Sequence, residues 1–271
     1  MARFVNRMLS NLGIQIVRTD LIHEYGRKSI ISDACSRWTK ENVPAEIGQF
    51  VLQQLATTNS HSQLQQELLA LYISKKLKDV DPYFVEFGAT DGLRYSNTFY
   101  LEQKFGFNGI LAEPARISRA HLKENRKCKL DFRCVWEHSG KKVRFVEFDE
   151  VEYSGVSGYS SSRYQSKQAK SYLVDTISLL DLLQAHNAPQ KISFLSIDTE
   201  GSEFDIIKNF PFDQYSFHYI AIEHNYSTKR ILIKNLLTDA GYVKILGETS
   251  QFDDWYLSCD VYNLIRDLFI P

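Results

Sequence analysis

No sign of charge dominates this chain: 32 lysines and arginines face 33 aspartates and glutamates over 271 residues. A surface without excess positive charge does not hold a polyanion, so dedicated nucleic-acid binding is not expected. Long apolar runs are missing too. None approaches the ~20 residues that span a bilayer, and no transmembrane segment is expected. The opening residues, Met1-Ala2-Arg3-Phe4-Val5-Asn6-Arg7, have neither an apolar core nor a small-residue cleavage site, so no signal peptide is expected. Cysteine is scarce. Cys35, Cys128, Cys134 and Cys259 form no C-x-x-C pair, and no histidine stands at a zinc-site offset from them. Free thiols in a reducing, cytoplasmic setting are the expectation. There is no internal repeat. What remains, with 44% apolar and 24% charged residues, is the balance of an ordinary globular chain.

Residues 1–79 read as a mostly helical N-terminal extension. Within Gln63–Tyr72, Leu64, Leu68, Leu71 and Tyr72 share one stripe at helical spacing, the pattern of a helix covering a sheet. Residues 1–18 mix Phe4, Met8, Leu9 and Leu12 with Arg3, Arg7 and Arg18. That mixture suits a docking helix, or peripheral contact with an anionic membrane surface.

From residue 80 the pattern changes. Short apolar runs at Tyr83–Phe87, Gly109–Glu113, Leu130–Val135, Ile192–Ile197 and Tyr219–Ile222 predict strands. Helical stretches over Ser96–Phe105, Arg116–Lys127, Ser178–Ala185 and Thr228–Ala240 lie between and after them. Val143–Phe148 reads as an extra strand, Val151–Tyr164 as a loop, and Val243–Leu246 and Trp255–Ser258 as the closing strands. Alternating strands and helices predict an α/β fold, a mostly parallel sheet with helices on both faces. The main domain spans 80–258, and 259–271 reads as a tail. Arg116, Arg119, Lys123, Arg126 and Lys127 read as a solvated basic helix face.

The informative stretch runs from Phe84 to Pro114. A strand ends in the turn Gly88-Ala89-Thr90-Asp91-Gly92, and Glu113 ends the next strand, 22 residues after Asp91. In a doubly wound sheet such a turn lies where ligands bind, and an acid ~20 residues on accepts ribose hydroxyls. The dinucleotide fingerprint G-x-G-x-x-G is absent. Asp91 also puts a carboxylate where a pyrophosphate would sit, and two anions repel there. S-adenosylmethionine carries a cationic sulfonium and no phosphate, and Glu86, Asp91 and Glu113 suit it. The plain alternative is a tight turn capped by Asp91.

These blocks resemble the FkbM family of S-adenosylmethionine-dependent methyltransferases. The resemblance is carried by Phe84–Gly92, Ser96–Glu102 and Gly109–Pro114, then by Phe194-Leu195-Ser196-Ile197-Asp198-Thr199-Glu200-Gly201-Ser202-Glu203, Ile220–Asn225 and Asp253-Asp254-Trp255-Tyr256. It covers about residues 80–258. It implies a class I methyltransferase (Rossmann-like) fold, a seven-stranded sheet with a final antiparallel hairpin. It also implies that Glu86, Gly88, Ala89, Asp91, Gly92, Asn97, Thr98, Glu113 and Pro114 surround the cofactor, with Cys134 and Val135 near the adenine. The implied activity is O-methylation of a glycan or small molecule, a sugar hydroxyl preferred.

A hydroxyl is a poor nucleophile until a base or a metal draws off its proton. Asp198, Glu223 and His224 stand at strand ends and are the candidate catalytic groups. Two arrangements are open. His224 or Asp198 is a general base that Glu223 orients, or Asp198, Glu200 and Glu223 hold magnesium or calcium. Glu200 and Glu203 also suit a plain helix start. The loop Tyr153–Tyr164, rich in hydroxyls and rings, is a candidate acceptor cover. A silent partner-binding module and a nicotinamide-dependent oxidoreductase are the competing functions. The second is disfavoured by Asp91 and the missing fingerprint.

Overall fold

The computed structural model describes residues 31–57, 60–159 and 169–269. The expectations for residues 1–18 and for the loop segment 160–164 lie outside them. Chain order runs β1 (Tyr83–Phe87), β2 (Asn108–Ala112), β3 (Lys129–Asp131), β4 (Cys134–Val135), β5 (Lys142–Phe148) and β6 (Gly155–Val156). It continues with β7 (Ala169–Ile177), β8 (Lys191–Ile197), β9 (Ser216–Glu223), β10 (Tyr242–Ile245) and β11 (Asp253–Ser258). The helices are α1 (Ala45–Thr57), α2 (Gln66–Leu77), α3 (Phe99–Phe105), α4 (Arg119–Asn125), α5 (Leu179–Ala185), α6 (Glu203–Ile207), α7 (Lys229–Asp239) and α8 (Cys259–Ile265).

Seven strands form one sheet in the order β10-β11-β9-β8-β1-β2-β3. β9, β8, β1, β2 and β3 are parallel, while β11 runs antiparallel to both β9 and β10. Strand residues alternate between the two faces, and the sheet has a separate core on each. Phe84, Phe194 and Tyr219 are register neighbours across β1, β8 and β9. They point to one face, where the Phe194 and Tyr219 rings stack at 4.9 Å. Val85, Leu195 and Ile220 point to the other, against Leu182, Leu183 and Leu237. Such runs are largely apolar because both faces are covered, with Glu86 of β1 a buried exception.

Residues 31–79 belong to the first core. Every residue of α2 from Gln66 to Ser74 is buried, and Trp38 stacks on Trp255 of β11 at 5.6 Å. Residues 259–271, expected as a tail, begin with α8. Ser258 caps that helix, and Val261 and Ile265 enter the same core.

Three expectations need correction. Leu130–Val135 is not one strand. Asp131 accepts the Arg133 N–H at 2.9 Å and pairs with the Arg133 and His186 side chains. The chain turns there, and Cys134–Val135 pairs with β7 instead. Second, β7 was not foreseen. It joins β4, β5 and β6 in a four-stranded sheet of order β4-β7-β5-β6, which packs through Cys134, Phe145, Val156 and Val174. Third, Arg126 is not solvated. Its side chain is fully buried and bonds to Glu102, Ser96, Thr98 and the Gly92 carbonyl.

Candidate active site

Strand order reverses between β1 and β8, since the chain proceeds to β2 and β3 on one side and to β8 and β9 on the other. Ligands of open α/β sheets bind at the carboxyl ends of strands at such a point. Gly88 leaves β1 there with φ +77°, and a Cβ on it would stand 1.8 Å from the Asp198 carbonyl oxygen. Both the backbone angle and the close approach require glycine.

Two adjoining cavities fill the crevice and share Gly88, Glu113, Ser154 and Asp198. The smaller, about 40 Å³, is an apolar slot between Phe87, Pro114, Val135, Phe145 and Val156. The larger, about 350 Å³, is polar and carries Asn97, Glu113, Glu152, Asp198, Glu200 and Glu223. Arg94 and Glu152 pair at 3.1 Å and join two of its walls.

Of the predicted cofactor residues, Gly88, Asn97, Glu113, Pro114 and Val135 line these cavities. Glu86, Ala89, Asp91, Gly92 and Thr98 line neither. Glu86 is buried and consumed by the protein: it accepts the Asn97 N–H at 2.6 Å and the hydroxyls of Ser96 and Thr98. Thr98 is spent between Glu86 and Arg126. Asp91 accepts the backbone N–H groups of Leu93 and Arg94 at 2.9 and 2.7 Å. It is therefore the turn cap of the plain alternative, and α3 begins only at Phe99. The repulsion assigned to Asp91 passes to the acids that do face the cavity.

Glu113 is one of these. Its carboxylate accepts N–H groups from Thr90 at 3.2 Å and Ala115 at 2.9 Å. Burial outweighs both bonds and pushes it up to about 7. Asp198, Glu200 and Glu223 form the other group, with one carboxylate oxygen from each lying within 4.8 Å of the others. Burial first, and then the charges of neighbouring acids, raises all three above the usual carboxylate range; for Glu200 those neighbours are Glu203 and Glu152. Glu203 is not part of this group. Its Oε1 accepts the Thr199 and Gly201 N–H groups and shapes the turn into α6, while its charge adds to the repulsion on the three.

His224 needs correction as a base. Its Nδ1 accepts the Tyr226 N–H at 2.9 Å, and Nε2 lies 3.0 Å from the Asp253 carbonyl oxygen. Both ring nitrogens are thus engaged within the protein, and Nε2 also lies 3.4 Å from an Asp254 carboxylate oxygen. The ring lines neither cavity, and it fixes the chain beyond Glu223. The adjoining Asp254 is buried, which would raise it. Bonds from His224, Arg230 and Lys244 overcome that and hold it well below the usual range. Asp253 faces Glu223 in register and accepts from the Gln66 side chain at 2.9 Å. Arg94, Tyr95, Glu152, Asn225, Phe252 and Gln63 line the larger cavity unforeseen. Glu152, inside the loop Val151–Tyr164, and Asn225, at the end of the Ile220–Asn225 block, left a hint in the sequence.

The reversed strand order, the glycine cradle and the acid-lined cavity define an α/β protein with a ligand site at its switch point. A family model for the Methyltransferase FkbM domain matches residues 86–255, and the chain belongs to that methyltransferase family. It is similar to the crystal structure of Methyltransferase FkbM from Methylobacillus flagellatus KT. Identity is 13% and the TM-score 0.41, over 86% of this chain and 59% of that one. The chain thus spans less than two thirds of that relative's length. Curated proteins give no match. Among the described residues no helix is long and apolar enough to cross a membrane.

Proposed function

We propose that this methyltransferase uses S-adenosylmethionine, has the class I fold, and methylates a hydroxyl of a glycan or small molecule, a sugar preferred. The observation that carries this reading is the polar cavity at the switch point. Glu113, Asp198, Glu200 and Glu223 face it with no ion-pair partner among the described residues. Excess negative charge in a confined space favours a cation and opposes a diphosphate. The cofactor fits the residues present. Glu113 ends β2 with a carboxylate on both cavities, as ribose hydroxyls require. The apolar slot at Phe87, Val135 and Phe145 suits adenine, and the Gly88 cradle leaves room for close approach.

When bound, the cofactor supplies the methyl group. The protein's own residues position the acceptor and take up its proton. Tyr95, Tyr153 and Asn225 offer rings and hydrogen bonds suited to a polyol. The hydroxyl proton passes to a carboxylate oxygen of Asp198, whose partner Glu223 shares the added charge. In its ionised form, populated above its value of about 8, Asp198 is a stronger base than an ordinary carboxylate. The Arg94–Glu152 pair joins two walls of the same cavity at its exposed side.

Calorimetry tests the reading. S-adenosylmethionine is expected to bind with measurable heat, and NADH is not. Heat with NADH alone would turn the assignment towards an oxidoreductase, and no heat with either would leave a silent module. A second outcome concerns Glu113. Its ionised form accepts the ribose hydroxyls, and that form is populated above its value of about 7. Cofactor affinity should rise with pH through neutrality and be about tenfold lower at pH 6 than at pH 8. Glu113→Gln should lower affinity by about 1–3 kcal/mol and flatten that pH step. An unchanged pH step in the variant would remove Glu113 from the ribose site.

A further inference from the structure

Three carboxylates that face one another at close range raise a question of charge balance. Asp198, Glu200 and Glu223 each bring one oxygen into a group no wider than 4.8 Å. They come from two neighbouring strand ends, so the group is held by the sheet rather than by a loose surface. No ion pair reaches any of the three from the described residues. Glu223 adds a second, separate observation. It is only 7% exposed, and its Oε2 has no hydrogen-bond partner, while its side chain lines the larger cavity. A buried carboxylate oxygen without a partner is costly, so something outside the chain should satisfy it.

One shared proton between Asp198 and Glu223 relieves two of the acids. It leaves Glu200 facing them unrelieved. A divalent cation relieves all three. Oxygens on opposite sides of magnesium, each bound at ~2.0–2.1 Å, lie just over ~4 Å apart, and those on calcium, bound at ~2.3–2.6 Å, just under ~5 Å. A group no wider than 4.8 Å falls within the span of calcium, and magnesium would draw the three oxygens in by about half an ångström. An all-carboxylate donor set without cysteine or histidine selects hard, oxygen-preferring ions over zinc or copper.

We propose that Asp198, Glu200 and Glu223 form a divalent-cation site of the magnesium and calcium class at the acceptor end of the cavity. This rests on the reading of that cavity as the methyl-transfer site, and it assigns the ion a task there. A hydroxyl bound to such an ion loses its proton more readily, as water does on bound metals.

The test needs no acceptor. Full-length protein is titrated with Mn²⁺, whose free-ion electron paramagnetic resonance signal disappears on binding. One saturable ion per chain is expected, displaced by Mg²⁺ or Ca²⁺ and weakened at least tenfold in Glu200→Gln and Glu223→Gln. Glu200 is partly exposed, so Glu200→Gln decides the matter if Glu223→Gln fails to fold. Absence of saturable binding up to about 1 mM, the weak end of calcium sites, overturns the proposal. So does one ion that neither substitution weakens, because the site then lies elsewhere. S-adenosylmethionine calorimetry in chelator runs alongside. Cofactor binding without Mn²⁺ binding rejects the ion and keeps the methyltransferase reading, and loss of both rejects the cavity as a whole.

Discussion

Asp198→Asn should lower turnover by about 10²–10⁴, the range lost when a positioned proton acceptor is removed. The substitution keeps the side chain's shape and its place at the end of β8, against Gly88. S-adenosylmethionine affinity should therefore change only a few fold. The same variant should melt at a higher temperature near neutral pH. Burial and the charges of Glu200 and Glu203 make an ionised Asp198 costly in the folded chain, and asparagine removes one member of that repelling group. Loss of activity with gain of stability is the signature of an active site built under electrostatic strain. Initial rates and thermal unfolding measure both. Near-normal turnover in Asp198→Asn would show that another group takes the proton.

The largest stability effect is expected from Arg126→Ala, at about 3–5 kcal/mol, the cost of removing one partner from a buried ion pair. The guanidinium bonds to Glu102 at 2.5 Å and to Ser96 and Thr98 at 3.0 and 2.9 Å, and lies 3.7 Å from Glu86. Without it, two buried carboxylates lose their only described counter-charge. A total stability of ~5–15 kcal/mol leaves little margin for that loss. The residues it holds, Gly92 to Thr98, lead directly to Asn97 in the cavity wall, so cofactor affinity should fall with stability. Urea midpoints give the first quantity. A shift worth under about 1 kcal/mol would mean that water reaches Glu86 and Glu102 once the arginine is gone.

Arg126 also illustrates what could and could not be read from the chain. Its spacing with Arg119 and Lys123 suggests a solvated stripe. It is buried only because Glu86 and Glu102 arrive from strand and helix positions far back in sequence. His224 was misread for a similar reason. Its nearest partners are the backbone of Asp253 and of Tyr226, beside the Asp254 carboxylate, and backbone groups leave no mark in residue identity. The second sheet escaped notice because β7 is exposed along its first half and alternates weakly. By contrast, the parallel strands stood out as short apolar runs buried on both faces. Gly88 and Glu113 were legible because the turn and the strand end impose residue types locally. The acids at 198, 200 and 223 were visible as strand-end motifs, but their convergence to within 4.8 Å is a product of the fold.

The helix α2 and the Trp38–Trp255 stack lie before and across the boundary of the family match at residue 86. A polypeptide trimmed to the matched segment would present Tyr219, Phe194 and Trp255 to water as a bare aromatic wall, and Asp253 would lose the amide that holds it opposite Glu223. The amino-terminal portion is thus a buttress of the crevice, because Gln66 braces Asp253 one strand away from Glu223.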